Sequence, residues 1–175
     1  VDIGTTNVVI DLMDLRSGRL IERVSNRNKQ RLRGEDVISR IVYSERGKGL
    51  EELQQLVTGV INELLDELAQ KQNFKPADVC EMVVAGNTIM THLFLGLPPR
   101  QMRVEPYVPT AKQFPVVTAD RLGIHINPGA SVYCAPAVAA YVGGDTTAGV
   151  IASCMYLADK LTLFLDVGTN GEIVL

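Results

Sequence analysis

The sequence predicts a mixed α/β fold in which three antiparallel strands are followed by two parallel strands, with helices on the faces of the sheet. Three observations predict it. The chain opens on VDIGTTNVVIDL (1–12), which reads as a strand, a tight turn and a returning strand. A long apolar stripe at helical spacing follows from Leu50 to Leu68. Met82 to Ala85 then make a short apolar run closed by Gly86-Asn87-Thr88, which suits a central parallel strand that leads into a helix.

The first strand passes through Gly4, where a turn needs backbone freedom, into VVIDLM (8–13). DLRSGR (14–19) reverses the chain and LIERVS (20–25) completes an antiparallel meander. GEDVISRIVYSE (34–45) reads as a short helix that starts near Asp36. Leu50, Leu53, Val57, Val60, Ile61, Leu64, Leu65 and Leu68 then recur at three- and four-residue steps. From Leu50 to Lys71 they predict a helix on the order of 33 Å long at 1.5 Å per residue, apolar toward the sheet and charged toward water.

Pro76 and Asp78 punctuate the chain before the strand at Met82 to Ala85, and a helix is predicted from Ile89 to Gly96, before Pro98-Pro99. Its first turn lies at the carboxyl end of a strand, where open α/β sheets bind ligands. Asn87 and Thr88 are therefore candidate ligand-binding residues, and capping of the helix by either is the competing reading. Residues 98–130, with EPYVPTAKQFP, show little regular pattern and predict a long surface connection, a candidate partner-facing segment. A strand near Ser131 to Cys134, a small-residue helix, a Gly143-Gly144 break and a second helix capped by Asp145 or Thr146 follow. Leu161 to Leu165 start the last strand, which runs into LDVGTNGEIVL.

The two ends share one pattern, Asp-x-Gly-Thr, with Asp2 and Asp166 separated by 166 − 2 = 164 positions. Alone, each copy is equally a plain hairpin turn or a phosphate cradle. In a cradle, Gly4 and Gly168 would let the backbone approach an anion, and successive N–H groups with the Thr5, Thr6 and Thr169 hydroxyls would donate to it. Asp2 and Asp166 would then hold a hydrated Mg²⁺ on the phosphate oxygens. Two copies could grip one polyphosphate from opposite sides.

The net charge is −3, and the one basic cluster, Arg27, Lys29, Arg31 and Arg33, is balanced by Glu35 and Asp36; a solvated loop is expected, not a nucleic-acid surface. No apolar run reaches the roughly 18 residues of a membrane span, and no signal peptide is present. Cys80, Cys134 and Cys154 form no CxxC pair, which argues against an iron–sulfur or zinc site in this chain and for reduced, mostly buried thiols in a cytoplasm. His92 and His125 stand alone, so packing or capping is their expected role. Val1 already sits in a strand, so the chain is expected to be a fragment of a longer protein. The expected division is a first lobe at 1–160, including the excursion 98–130, and the opening hairpin of a second lobe at 161–175. That apolar hairpin has open edges and is expected to pair with a second copy in a homodimer, to fold back locally or to be poorly ordered.

A meander followed by parallel strands with covering helices describes a ribonuclease-H-like lobe. With a second Asp-x-Gly-Thr hairpin, it resembles the acetate and sugar kinase, heat-shock chaperone and actin superfamily, whose two lobes face each other across ATP. Asp2-Ile3-Gly4-Thr5-Thr6 matches the first phosphate motif and Asp166-Val167-Gly168-Thr169-Asn170-Gly171 the second. APAVAAYVGG (135–144) sits where chaperones carry an alanine-rich turn lining the cleft. More closely, NKQRLRGEDVISRI, VAGNTIMTHLFLG, EPYVP, VGGDTTAG and LDVGTNGEIVL together resemble the reductive activators of corrinoid proteins, over nearly the whole chain.

The resemblance implies an ATP-dependent protein that returns an oxidised Co(II) corrinoid protein or corrinoid-dependent methyltransferase to Co(I). The electron would enter through an N-terminal [2Fe–2S] domain outside this chain. It implies that Asp2 and Asp166 position Mg²⁺ through water, that Thr5, Thr6, Thr169 and Asn170 bind phosphate oxygens with the amides of Gly4, Gly168 and Gly171, and that Asp145 or Glu172 orients the attacking water. Two other functions stay open. A small-molecule kinase on the same fold would use Asp145 as its base, and a degenerate lobe would dock a partner through Pro98 to Pro115.

Overall fold

A computed structural model describes residues 1–175. Strands β1 (Asp2–Ile3), β2 (Asn7–Asp14) and β3 (Arg19–Arg27) form the meander, and helices α1 (Val37–Ser44) and α2 (Gly49–Gln72) follow. The chain continues through β4 (Glu81–Gly86), α3 (Thr88–Leu95), β5 (Val117–Thr118), β6 (Ser131–Cys134) and α4 (Gly144–Ser153), and ends on β7 (Phe164–Val167) and β8 (Gly171–Val174). Six strands form one sheet in the order β3-β2-β1-β4-β6-β5, with β7 and β8 a separate antiparallel pair. Within the sheet β1 runs antiparallel to β2 and parallel to β4, β4 is parallel to β6, and β5 is an antiparallel edge strand.

Local chemistry sets these boundaries. Asp36 caps α1 through a reciprocal box, its carboxylate accepting the Ser39 N–H at 2.7 Å while the Ser39 hydroxyl meets the Asp36 N–H at 3.2 Å. Asn73 ends α2 and Gly96 ends α3, both in the left-handed region (φ 51° and 67°). The stripe on α2 is the centre of the core: Leu53, Val57, Val60, Ile61, Leu64, Leu65 and Leu68 are buried against Val8, Ile10, Val24, Met82 and Val84. Each such side chain contributes about 1.5–3 kcal/mol by leaving water. The sheet's other face is more open, and Val83 and Tyr133, paired across β4 and β6, are exposed. Since β1 has only two residues, β2 and β4 flank a slot of about 1080 Å³ beyond Val1, at the end of the sheet away from the turns.

Four expectations are corrected. The excursion 98–130 is not a surface connection alone, because it supplies β5, two 3₁₀ turns and six side chains of the hydrophobic core: Met102, Phe114, Ala119, Ile124, Ile126 and Ala130. Residues 135–142 are not helical, since the Ala137 N–H is committed to Lys112 O (2.8 Å) and the Val138 and Ala139 N–H groups both turn to Val142 O. Helix α4 starts after Gly143 with no side-chain cap, so neither Asp145 nor Thr146 caps it. Of the thiols only Cys134 is buried, where desolvation pushes its pKa up to about 12 and leaves it unreactive.

Candidate functional site

Three chain turns meet at the carboxyl end of the parallel strands. Ile3 lies level with Gly86, so the turn Gly4–Thr6 sits beside Asn87. Asn87 caps α3, its Oδ1 accepting the Met90 N–H (2.9 Å), and its Nδ2 donates to the Thr5 hydroxyl (3.3 Å). Thr88 is fully buried and its hydroxyl donates to Ala139 O (2.5 Å), which ties down the loop after β6 and turns this side chain away from the turns. Gly143 closes on the same corner, where a Cβ would come 2.5 Å from Gly86 O and from the Thr88 nitrogen. Gly4 is required for space, because a Cβ there would approach Asn7 O to 2.7 Å.

The second turn reaches the first. Thr169 Oγ1 lies 3.0 Å from Thr6 Oγ1, so the two Asp-x-Gly-Thr segments touch at their tips. The β7–β8 hairpin leans on α4, with the edge of the Phe164 ring filling the space that a side chain at Gly149 would need. Asn170, Gly171 and Glu172 form one wall of a groove of about 580 Å³. Its other wall is Val37 and Ile38 from α1 with Tyr141 and Val142.

Negative charge gathers around this junction. Desolvation raises the pKa of the Asp2 carboxyl, and Asp145, Asp166 and Asp11 raise it further. Asp145, in the first turn of α4, is raised by desolvation and then by Asp166, although its Oδ1 accepts the Thr146 N–H at 2.8 Å. Glu172 is raised by desolvation, then by Asp145 and Asp166. Asp11 pairs with Arg23 at 2.6 Å, but no lysine or arginine pairs with Asp2, Asp145, Asp166 or Glu172. Nor do three acidic, histidine or cysteine side chains converge as a direct metal-ligand set.

Sequence reasoning missed a buried polar layer behind the first turn. Asn28, Gln30 and Arg40 are all fully buried, although Asn28 and Gln30 lie within the basic stretch that predicts a solvated loop. The basic residues around them are solvent-facing: Lys29 pairs with Glu63, and Arg33 with Glu52 at 3.3 Å. The one signal in the sequence is the alternation of Asn28 and Gln30 with Arg27, Lys29 and Arg31, and it does not reveal which face is inside.

Fold and site together define a mixed α/β lobe that presents two Gly-Thr turns and unpaired carboxylates at the carboxyl end of its central parallel strands. Residues 1–158 match the family described as the RACo middle region, and the chain belongs to that family of corrinoid-protein reductive activators. Corrinoid activation enzyme RamQ of Eubacterium limosum is 35% identical over 173 residues, which are 98% of this chain and 29% of that protein. A solved structure of a reductive activator for corrinoid, iron-sulfur protein matches with a TM-score of 0.96 and 47% identity, over 98% of this chain and 28% of that one. The chain thus spans less than a third of the length of these relatives.

Proposed function

We propose that the chain is the ATP-gripping lobe of a reductive activator that returns oxidised Co(II) corrinoid proteins to Co(I). The observation that carries this reading is the contact of Thr6 with Thr169, in a region where the carboxylates of Asp2, Asp145, Asp166 and Glu172 act on one another. Three antiparallel strands followed by parallel β4 and β6 support a ribonuclease-H-like lobe of the actin-like ATPases over 1–160, with 161–175 opening the facing lobe. Kinship with a corrinoid activation enzyme supports a corrinoid protein as the partner. The electron would come from a [2Fe–2S] domain outside this chain.

The residues fit a hydrated magnesium ion and not a caged one, since the carboxylates repel one another yet no three converge. Asp2 and Asp166 would hold it through its waters, and Mg²⁺ there would neutralise charge on the phosphate oxygens. Thr5, Thr6, Thr169 and Asn170 donate to those oxygens together with the amides at Gly4, Gly168 and Gly171. To admit them, the Thr6–Thr169 contact has to part. Asn87 holds the Thr5 hydroxyl in place. Asp145 or Glu172 would orient an attacking water.

The test is ATP turnover by the full-length protein with and without an oxidised corrinoid protein. Asp2→Ala and Asp166→Ala are each expected to lower turnover by about 10²-fold or more, the scale of losing a preorganised charge contact. Unchanged hydrolysis in both variants would overturn the assignment.

A further inference from the structure

Arg40 sits in α1 yet is fully buried, and no carboxylate touches it. Its Nε donates to Gly34 O (2.9 Å), Nη1 to Gln30 Oε1 (3.4 Å) and Met90 Sδ (3.1 Å), and Nη2 to Thr5 O (2.7 Å). Every acceptor is neutral. The one negative charge acting on it is Asp36, the exposed cap of the same helix, and burial pulls its pKa down to about 10, so the group stays charged at neutral pH. A buried cation without a counter-ion is costly to keep. A tether for Thr5 O alone could be neutral.

Asn28 works beside it. Its Nδ2 donates to Gly4 O (2.9 Å) and Gln30 Oε1 (3.3 Å), and its backbone N–H to Thr6 O (2.8 Å). Asn28 and Arg40 share Gln30 Oε1, so both approach the turn from one side. The carbonyls of Gly4 and Thr5 therefore point to that side. In a trans peptide the N–H lies opposite its carbonyl, so the Thr5 and Thr6 N–H groups point away from the guanidinium, and neither has a partner in the protein. Two adjacent free amides backed by a buried positive charge make an anion-binding concavity.

We propose that Arg40 is a positioning residue for a phosphate on the Gly4–Thr6 turn: it locks the Thr5 peptide with its amide outward and sets an uncompensated charge behind it, while Asn28 locks the Gly4 peptide. The phosphate is the counter-ion that the protein does not provide. This deepens the nucleotide reading above and rests on it.

The experiment compares ATP and adenosine binding by calorimetry in the full-length protein and its Arg40→Gln and Arg40→Lys variants. Arg40→Gln is expected to weaken ATP about tenfold or more, the scale of one charge-assisted contact, and to leave adenosine unchanged. Arg40→Lys is expected to recover part of the ATP affinity. Equal loss for ATP and adenosine, or no loss for ATP, would overturn the proposal. A second measurement does not depend on variants: pyrophosphate added to the full-length protein labelled with ¹⁵N-threonine is expected to shift the Thr5 and Thr6 amide resonances. Absence of those shifts would overturn the proposal even where ATP binds. Shifts in a protein that binds no ATP would overturn the nucleotide reading alone and support Arg40 as a phosphate-positioning residue.

Discussion

Asp145 is a single side chain on which opposing effects meet. A carboxylate in the first turn of a helix is favoured by the helix dipole and by the Thr146 N–H, but desolvation and the neighbouring Asp166 outweigh both and raise its pKa above the ordinary 3.8. A raised carboxyl pKa means that the folded state resists ionisation. Its contribution to stability is fully present below the unfolded value and is lost as pH rises through the folded one. Asp145→Asn keeps the acceptor for Thr146 and removes the charge. The variant is expected to melt higher than the parent chain at pH 7 in the absence of divalent cations, with the gap closing below about pH 4. Calorimetry over a pH series checks this, and a gap that persists at low pH would mean that charge is not its source. The repeated Asp-x-Gly-Thr made the two turns legible in the sequence, but not the layer behind them. A buried Arg40 reads in sequence like any polar position on an amphipathic helix, because its partners are carbonyl groups of Gly34 and Thr5 that composition does not reveal.

Among the elements, α2 and β4 were legible because each carries its own period: a stripe of leucine and valine for one, a short β-branched run for the other. The start of α1 near Asp36 was legible because Asp36 acts locally on Ser39. The excursion was not, since Met102, Phe114, Ile124 and Ile126 follow no period and are buried by contacts far along the chain. The non-helical loop 135–142 was hidden for the same reason: its alanines favour helix, but Thr88 and Lys112 bind its backbone elsewhere and override that weak preference. His92 pins the excursion. Its Nδ1–H donates to Thr88 O (2.7 Å), its Nε2 accepts the Ala111 N–H (3.2 Å), and its ring meets Phe114 edge-on. Protonation would turn Nε2 from acceptor to donor against that amide. Desolvation already lowers this pKa, more strongly than the Thr88 bond raises it, so the neutral ring is the one the fold holds. Its stabilisation is complete above the unfolded value of 6.5 and is lost as pH falls below it toward the depressed folded value. Hydrogen-exchange protection of the Ala111 amide is expected to drop between pH 7 and pH 5 while that of α2 holds. Constant protection at Ala111 would remove His92 as the pin.

For the molecule as a whole, stability is divided unevenly. One core of 28 buried residues joins the sheet to α2, α3 and the excursion, and it includes no residue of β7 or β8. The hairpin touches the body through Phe164 on α4 and through Thr169 on Thr6, while Leu165, Val167 and Ile173 face solvent and Glu172 is repelled by Asp145. Few buried contacts and solvent-exposed backbone bonds place such a segment at the low end of local stability. Leu64→Ala in the core is expected to cost about 2–5 kcal/mol of global stability. Phe164→Ala is expected to leave the global melting transition almost unchanged and to abolish exchange protection across residues 164–174. Hydrogen exchange read by mass spectrometry, alongside denaturant unfolding of both variants, separates the two effects. If Phe164→Ala lowered global stability as far as Leu64→Ala does, the hairpin would be part of the core and not a separate unit of low local stability.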